Sequence, residues 1–257
     1  MNAPGHPMSD LRSAPLEASP VHRPLLQVDG LHAHYGKSHI LRGVSLTLQR
    51  GEVVSLLGRN GSGRSTTLKA VMGLVPPSAG RVDLDGRALA GAPPHAICRA
   101  GLAYVPEERE VFANLTVDEN LRMGEQPPAP GAVRWTRAQM FDYFPRLLER
   151  RNTQAGSLSG GEQQMLTICR SLLGNPLVIL IDEPTEGLAP KIVAQVAECI
   201  QDMQRQGVSV VLVEQKLAIA LKVSTRVCVM GHGHIVFEGS PAQLQADREM
   251  QQQWLAV

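Results

Sequence analysis

The spacing of apolar residues predicts strands in the first part of the chain. Apolar and polar residues alternate over 26–28 and again over 44–48, which is typical of half-buried strands. The run 53–57 is dense in apolar residues at both parities and predicts a strand that is buried on both faces. A glycine-rich turn follows it, so the chain leads from edge-type strands into one central strand.

Helical and strand patterns alternate from this turn onward. The predicted helices cover 65–74, 160–173 and a segment that begins near Pro190, and 117–150 is mostly helical around a proline-rich insert at 126–131. The predicted strands cover 81–84, 101–105, 177–181 and 208–213, and a polar turn joins 226–230 to 235–238. This repetition of strand, helix and strand predicts an α/β fold with a mainly parallel sheet and helices on both faces.

The first 24 residues differ in composition from the rest of the chain. They are rich in Pro, Ser and Ala and show no sustained periodicity, which predicts a disordered tail. Residues 25–257 are predicted to form a single domain. The longest apolar runs are far shorter than the roughly 20 residues of a membrane-spanning helix, and residues 1–24 lack the apolar core of a signal peptide.

Charge and cysteine content narrow the class of protein. The 25 Lys and Arg residues balance 24 Asp and Glu residues, so no broad basic field is available to gather nucleic acid. The cysteines are far apart and form no CxxC pair, which argues against a zinc site or a disulfide framework and suits a reducing cytoplasm. We therefore expect a soluble intracellular protein, and this leaves open whether it works beside a membrane.

The turn after the central strand has the composition of a phosphate-binding loop. It matches G-x-x-x-x-G-K-[ST] at every defined position except the lysine. Glycines let a backbone wrap around an anion, and the next helix adds its N-terminal dipole. An ordinary glycine-rich turn is the alternative interpretation. The predicted nucleotide-binding residues of this loop are Gly58, Asn60, Gly61, Ser62, Gly63, Arg64, Ser65 and Thr66, and Ser65 is also a predicted Mg²⁺ ligand.

Arg64 is a consequential departure from the motif. A lysine offers a compact charge, whereas an arginine is longer, planar and forked, so the two residues are not interchangeable. Arg64 should keep an attraction for phosphate but displace either the charge or the nucleotide. The resulting hypothesis is that a nucleotide binds and is hydrolysed more slowly than with a lysine.

A second motif is the buried strand that ends in Asp182 and Glu183. Ligands collect beyond the carboxyl ends of the strands in an α/β sheet, so this pair is expected beside the phosphate loop. Asp182 is suited to the Mg²⁺ shell, and Glu183 is suited to polarise an attacking water. A merely solvated strand end is the alternative for the pair taken alone.

A third motif, Leu158-Ser159-Gly160-Gly161-Glu162-Gln163, lies 23 residues before Asp182. With it the chain resembles the ABC ATPases, whose defining signature is LSGGQ or LSGGE. A serine hydroxyl and bare glycine backbone at a helix start make a second phosphate-binding surface. In that family this surface, here Ser159, Gly160 and Gly161, closes over the nucleotide held by another subunit. The resemblance implies an ABC ATPase domain with an N-terminal antiparallel β subdomain, a helical subdomain at about 108–174, and ATP and Mg²⁺ as cofactors.

The resemblance carries over three further positions. Tyr35, 23 residues before Gly58, resembles the aromatic residue that stacks on adenine, with strand packing as the alternative. Glu107 occupies the usual place of a glutamine that contacts Mg²⁺ and senses the membrane partner. Gln215 occupies the usual place of a histidine that contacts the γ-phosphate; it can donate a hydrogen bond but carries no charge. Glu183 and Gln215 are thus the predicted catalytic residues.

Five short segments are similar to one subgroup, the ATPases of branched-chain amino acid importers. They are VPE at 105–107, FPRL at 144–147, LSGGEQQM at 158–165, GLAP at 187–190 and LVEQ at 212–215. This resemblance implies a cytoplasmic subunit on the inner face of the membrane that powers import of branched-chain or related amino acids or small polar solutes. Its implied partners are permease subunits, a second ATP-binding subunit (the same chain or a paralogue) and, indirectly, a periplasmic solute-binding protein, with no nucleic acid.

Two other functions and a metal site each fit part of the sequence. Arg64 motivates a nucleotide-binding regulatory subunit with weak or no hydrolysis. A non-transport ABC protein that acts on ribosomes or DNA generally carries two ATPase domains or a long coiled-coil insertion, and 257 residues hold neither. His232 and His234 suggest metal binding less well than a polar hairpin turn. The run 107–110 is expected to be a solvated face apart from Glu107.

Overall fold

The computed structural model describes residues 23–89, 91–128, 130 and 132–255. The disordered tail predicted for 1–24 lies almost wholly outside these residues. The strands are β1 (Leu26–Tyr35), β2 (Ser38–Leu48), β3 (Val53–Gly58), β4 (Ala79–Leu84), β5 (Arg87–Ala88), β6 (Leu102–Val105), β7 (Val178–Asp182), β8 (Ser209–Val213), β9 (Arg226–Gly231) and β10 (His234–Gly239).

The helices begin close to their predicted starts. They are α1 (Arg64–Val71), α2 (Pro94–Arg99), α3 (Val117–Gly124), α4 (Arg137–Tyr143), α5 (Pro145–Glu149), α6 (Gly160–Leu172), α7 (Pro190–Arg205), α8 (Leu217–Val223), α9 (Pro241–Ala246) and α10 (Arg248–Trp254). Thr116, Thr136 and Ser159 cap α3, α4 and α6 in reciprocal boxes with the residue three positions later, and Pro190 opens α7.

Two sheets carry the fold. The smaller sheet is antiparallel in the order β2-β1-β4-β5, and its alternating residues bury one face, as the sequence predicts. The larger sheet has the order β10-β9-β3-β8-β7-β6; neighbouring strands from β9 to β6 are parallel, and β10 returns antiparallel to β9. The predicted α/β class, mainly parallel sheet, antiparallel N-terminal sheet and final hairpin are therefore confirmed.

The faces of the larger sheet pack into separate cores. Val178 and Leu180 of β7 share a core with α1 and the antiparallel sheet, whereas Ile179 and Ile181 share another with α3, α6 and α7. Because both parities of β7 are buried, the strand is apolar throughout, and the first polar side chains come at its carboxyl end. This packing places Asp182 and Glu183 at the carboxyl ends of the parallel strands, where the loop after β3 also lies.

Helices α3 to α6 lie inside the predicted helical range 108–174, and the division of the chain into subdomains stays a prediction.

All four cysteines are free thiols. Among the described residues, no helix is long and apolar enough to cross a membrane.

Candidate nucleotide-binding site

The loop between β3 and α1 has a backbone that only glycine adopts easily. Gly58, Gly61 and Gly63 have φ angles of 147°, 80° and 106°. A Cβ atom on Gly58 would lie 2.5 Å from the carbonyl oxygen of Met230, so this glycine also permits a close approach to β9. Gly63 leaves the N-terminus of α1 without a side-chain cap, which keeps its first N–H groups available to an anion.

The floor of the site joins the loop to the end of β7. The hydroxyl of Ser65 donates to Oδ1 of Asp182 at 2.9 Å, and the hydroxyl of Tyr104 donates to Oδ2 at 3.1 Å. Burial raises the pKa of Asp182, although both hydrogen bonds oppose this shift. The predicted proximity of Ser65 and Asp182 is therefore present, and the pair offers the hard oxygen donors that Mg²⁺ prefers.

Glu183 is held in an unusual backbone conformation and by two side chains. Its φ angle is 43°, in the left-handed region that non-glycine residues rarely adopt. Its Oε1 accepts from Nη2 of Arg64 at 3.0 Å, and its Oε2 accepts from Nε2 of Gln215 at 2.6 Å. Burial, and then a hydrogen bond with Glu186, raises the pKa of Glu183 to about 7, while Arg64 and Gln215 act in the opposite direction.

Arg64 reaches across the site instead of ending within its own loop. Besides its contact with Glu183, the guanidinium donates to Oδ1 of Asn60 and to the carbonyl oxygen of Glu214, each at 3.2 Å. The Arg64 side chain is only 4% exposed and that of Glu183 only 6%. Arg64, which replaces the lysine of the loop, thus forms an ion pair with Glu183, the carboxylate predicted to activate water.

Three carboxylates meet at the mouth of the site. Oxygen atoms of Glu107, Glu183 and Glu186 lie within 4.8 Å of one another. Burial raises the pKa of Glu107, and the charges of Glu186 and Asp182 add to this shift. Within the described residues, Glu107 therefore groups with Glu183 and Glu186, whereas its predicted co-ligands Ser65 and Asp182 pair with each other.

A cavity of about 270 Å³ opens above these groups. It is lined by Asn60, Gly61, Gly63, Arg64, Ser65, Thr66, Glu107, Glu183, Glu186 and Gln215. The buried hydroxyl of Ser62, in the same loop, has no hydrogen-bond partner among the described residues, but Ser62 is not among the residues that line the cavity. A polar cavity with an uncapped helix N-terminus and adjacent oxygen donors fits a phosphate group with a divalent cation.

Tyr35 and the signature residues lie outside this lining. Tyr35 ends β1 and is 49% exposed. Ser159 is exposed and caps α6: its hydroxyl oxygen accepts from the Glu162 N–H at 3.3 Å, and Glu162 Oε2 accepts from the Ser159 N–H at 2.8 Å. The nucleotide-contact roles of Tyr35, Ser159, Gly160 and Gly161 stay predictions.

Sequence reasoning missed the buried support behind Gln215. Glu214 is 2% exposed, and its carboxylate accepts from Thr185 Oγ1 at 2.7 Å and from the backbone N–H groups of Gln215 and Lys216 at 2.9 and 3.0 Å. Lys216 Nζ returns a hydrogen bond to the Thr185 carbonyl oxygen at 2.9 Å. An acidic residue directly after the apolar strand β8 was the available signal, since such a residue is costly to bury unless it is paired.

Arg109 lies within the run 107–110 that is predicted to be a solvated face. Its Nη2 donates to the carbonyl oxygen of Glu186 at 2.7 Å, and a methyl group at Gly160 would collide with its guanidinium. Arg109 is partly exposed, and its side chain folds back against the signature motif. Nothing in the local sequence pattern indicated that direction.

Comparisons with known proteins agree with this geometry. The family described as ABC transporter matches residues 41–186. The chain is 40% identical to the high-affinity branched-chain amino acid transport ATP-binding protein BraG of Pseudomonas aeruginosa, covering 90% of this chain and 99% of that protein. It is 34% identical to the probable branched-chain amino acid transport ATP-binding protein LivF of Archaeoglobus fulgidus, over 86% and 94%.

Relatives that are named for lipopolysaccharide export match over a similar length. The lipopolysaccharide export system ATP-binding protein LptB of Acidithiobacillus ferridurans is 33% identical, over 90% of this chain and 96% of that protein. Among solved structures, the ATP-binding subunit of an ABC transporter superposes with a TM-score of 0.72 and 28% identity, covering 89% of this chain and 92% of that one.

Proposed function

Because the chain belongs to the ABC transporter family, we propose that it binds and hydrolyses ATP to power an importer of branched-chain or related amino acids or small polar solutes. The observation that carries the proposal is the contact of Ser65 with Asp182 beneath the cavity, with Glu183 beside it. The similarity to branched-chain amino acid transport ATP-binding proteins supports this class of cargo.

The residues of the site have distinct roles in this reaction. Ser65 and Asp182 would hold Mg²⁺, which neutralises phosphate charge when it is bound. Glu183 accepts a proton from the attacking water as the water oxygen bonds to the γ-phosphorus and the bond to ADP breaks. Gln215 orients Glu183 through their 2.6 Å hydrogen bond. A carboxylate with a pKa of about 7 suits a base that works near neutral pH.

The second half of each site comes from another subunit in this proposal. The surface of Ser159, Gly160 and Gly161 lies outside the cavity of its own chain, so it is available to a nucleotide held elsewhere. Two ATP-binding subunits would enclose two nucleotides, and their closure would move permease subunits on the inner face of the membrane. A periplasmic solute-binding protein would deliver the cargo.

A second candidate function follows from the buried contact of Arg64 with Glu183. An ion pair with side chains 4% and 6% exposed occupies the carboxylate that should meet water. A subunit in which ATP does not displace this contact would bind nucleotide and regulate a partner without fast turnover. The similarity to lipopolysaccharide export ATP-binding proteins adds a different cargo to be tested.

The test compares the purified chain, with the permease subunits that co-purify with it, and its Glu183→Gln variant. We expect ATP hydrolysis that the substitution abolishes while ATP binding persists, with Glu198→Gln on the exposed face of α7 as the matched control. Binding without turnover in the wild type would support the regulatory function. Uptake of labelled amino acids in vesicles tests the cargo, and association with ribosomes or DNA without a permease would refute a transport role.

A further inference from the structure

Arg109 lies between the signature motif and the loop that follows β7. Its Nη2 donates to the Glu186 carbonyl oxygen at 2.7 Å. A Cβ atom on Gly187 would lie 3.4 Å from the same nitrogen, and one on Gly160 would collide with Nη1. The lack of a side chain at Gly160 thus leaves room for the guanidinium, which lies within ordinary contact distance of Gly187.

The backbone directs this side chain away from its acidic neighbours. Arg109 has a φ angle of 51°, a left-handed conformation that costs a non-glycine residue about 1–2 kcal/mol. Glu108 turns toward Lys69 at 3.8 Å, and Glu107 groups with Glu183 in the cavity. Arg109 is turned toward the signature motif, and a strained residue that persists there suggests a function for that direction.

The charge of Arg109 has no anionic partner within the part of the chain that the structure describes. No carboxylate oxygen lies within 4.0 Å of its guanidinium, whose hydrogen-bond acceptor is the neutral Glu186 carbonyl. Arg137, by contrast, is paired with both Asp118 and Glu125. A half-buried guanidinium with free donors is suited to bind phosphate oxygens through two parallel N–H groups.

The phosphate that it would meet does not lie in its own chain's cavity. Arg109 is absent from the residues that line that cavity, although Glu107, two positions earlier, is among them. It lies instead on the side of Gly160 and Ser159, the surface expected to cover a nucleotide held by another subunit. The position of Arg109 therefore favours a contact with a nucleotide that another subunit holds.

We propose that Arg109 is a further catalytic residue that binds the γ-phosphate of ATP held by the phosphate loop of a second copy of this chain. This inference rests on the proposed function. Arg109 transfers no proton: its N–H groups stabilise the charge on the γ-phosphoryl oxygens as water adds and ADP leaves. It would supply, from the neighbouring subunit, the positive charge that Arg64 cannot bring to the phosphate while Glu183 holds it.

Substitution of Arg109 tests the role in hydrolysis. Arg109→Ala should lower kcat at least about tenfold with a smaller change in KM for ATP, because the contact strengthens as charge develops in the transition state. Arg109→Lys should keep part of the rate, since it keeps the charge but loses the fork. Arg122→Ala, which removes an exposed arginine of α3 that pairs with Asp118, is the control and should hydrolyse ATP at the wild-type rate.

Co-expression of a slow variant with an inactive one decides which subunit's nucleotide Arg109 serves. Arg109→Ala and Glu183→Gln chains carry different tags, and their mixed dimers contain one site with every residue intact only if Arg109 acts on the other subunit's nucleotide. At equal expression, half of the dimers are mixed and one of their two sites is intact, so about a quarter of the wild-type rate should return. Action within one subunit leaves no intact site and no recovery.

The outcomes separate this inference from the proposed function. A wild-type chain with turnover whose mixed dimers show no recovery would overturn the role of Arg109 and leave the ATPase function standing. Full activity of Arg109→Ala would do the same. A wild-type chain that binds ATP without turnover would overturn the proposed hydrolysis instead.

Discussion

Nη2 of Arg64 lies 3.0 Å from Oε1 of Glu183, and both side chains are almost completely buried. The contact joins the residue that replaces the loop lysine to the carboxylate at the end of β7. A buried ion pair contributes little net stability but holds its partners firmly, since removal of one leaves a buried charge. In the proposed reaction, ATP would therefore compete with Glu183 for Arg64 before hydrolysis begins.

Replacement of Arg64 by lysine should accelerate ATP hydrolysis. A lysine cannot contact Glu183, Asn60 and the Glu214 carbonyl oxygen together as the forked guanidinium does, so its charge is free for the phosphate and Glu183 is free for water. We expect kcat to rise at least about tenfold, which corresponds to about 1.4 kcal/mol in the activation free energy. Steady-state release of phosphate measures this.

The control for this substitution is Arg59→Lys, because Arg59 is exposed and bonds to the Gln252 carbonyl oxygen outside the cavity. Its rate should equal that of the wild type. An Arg64→Lys chain that hydrolyses ATP no faster than the wild type would show that Arg64 does not limit turnover.

Loss of the buried Glu214 carboxylate should destabilise the domain. In Glu214→Ala, Thr185 Oγ1 and the N–H groups of Gln215 and Lys216 lose their acceptor, so the free energy of unfolding should fall by about 2–4 kcal/mol. Thermal unfolding followed by circular dichroism should show a Tm several degrees lower. Glu249→Ala, at the start of α10, is the matched control, and an unchanged Tm in Glu214→Ala would contradict a supporting role.

Native alkylation should modify Cys98 and spare the other thiols. Cys98 is exposed, whereas burial raises the pKa of Cys199 and of Cys228 to about 12 and that of Cys169 well above its usual value. The thiolate is the reactive form, so the Cys98 rate should rise about tenfold for each pH unit below its own raised pKa. Intact-mass measurement should show one added group before unfolding and four after it; early labelling of a second thiol would contradict the buried assignments.

Much of the fold was predictable because its signals are local. The burial of each element can be predicted from its own residues: from the alternation in β1 and β2, from the apolar run of β7 and from the apolar stripe of α7. The parallel sheet follows from the order of strands and helices along the chain. Asp182 could be placed beside Ser65 because carboxyl ends of parallel strands share one edge. The contact partner of a long side chain is not predictable in this way, because it depends on which strands lie next to each other in the folded sheet.

The sequence by itself therefore determined the family and predicted the phosphate loop, the acidic pair and the signature, all of which are carried by contiguous residues. Only the tertiary structure decided that Arg64 binds Glu183, that Glu214 supports Gln215 and that Arg109 turns to Gly160. The physical reason is that β3, β7 and β8 come together only when the sheet closes its buried faces. The separation of 119 residues between Arg64 and Glu183 leaves no local pattern from which their contact could be read.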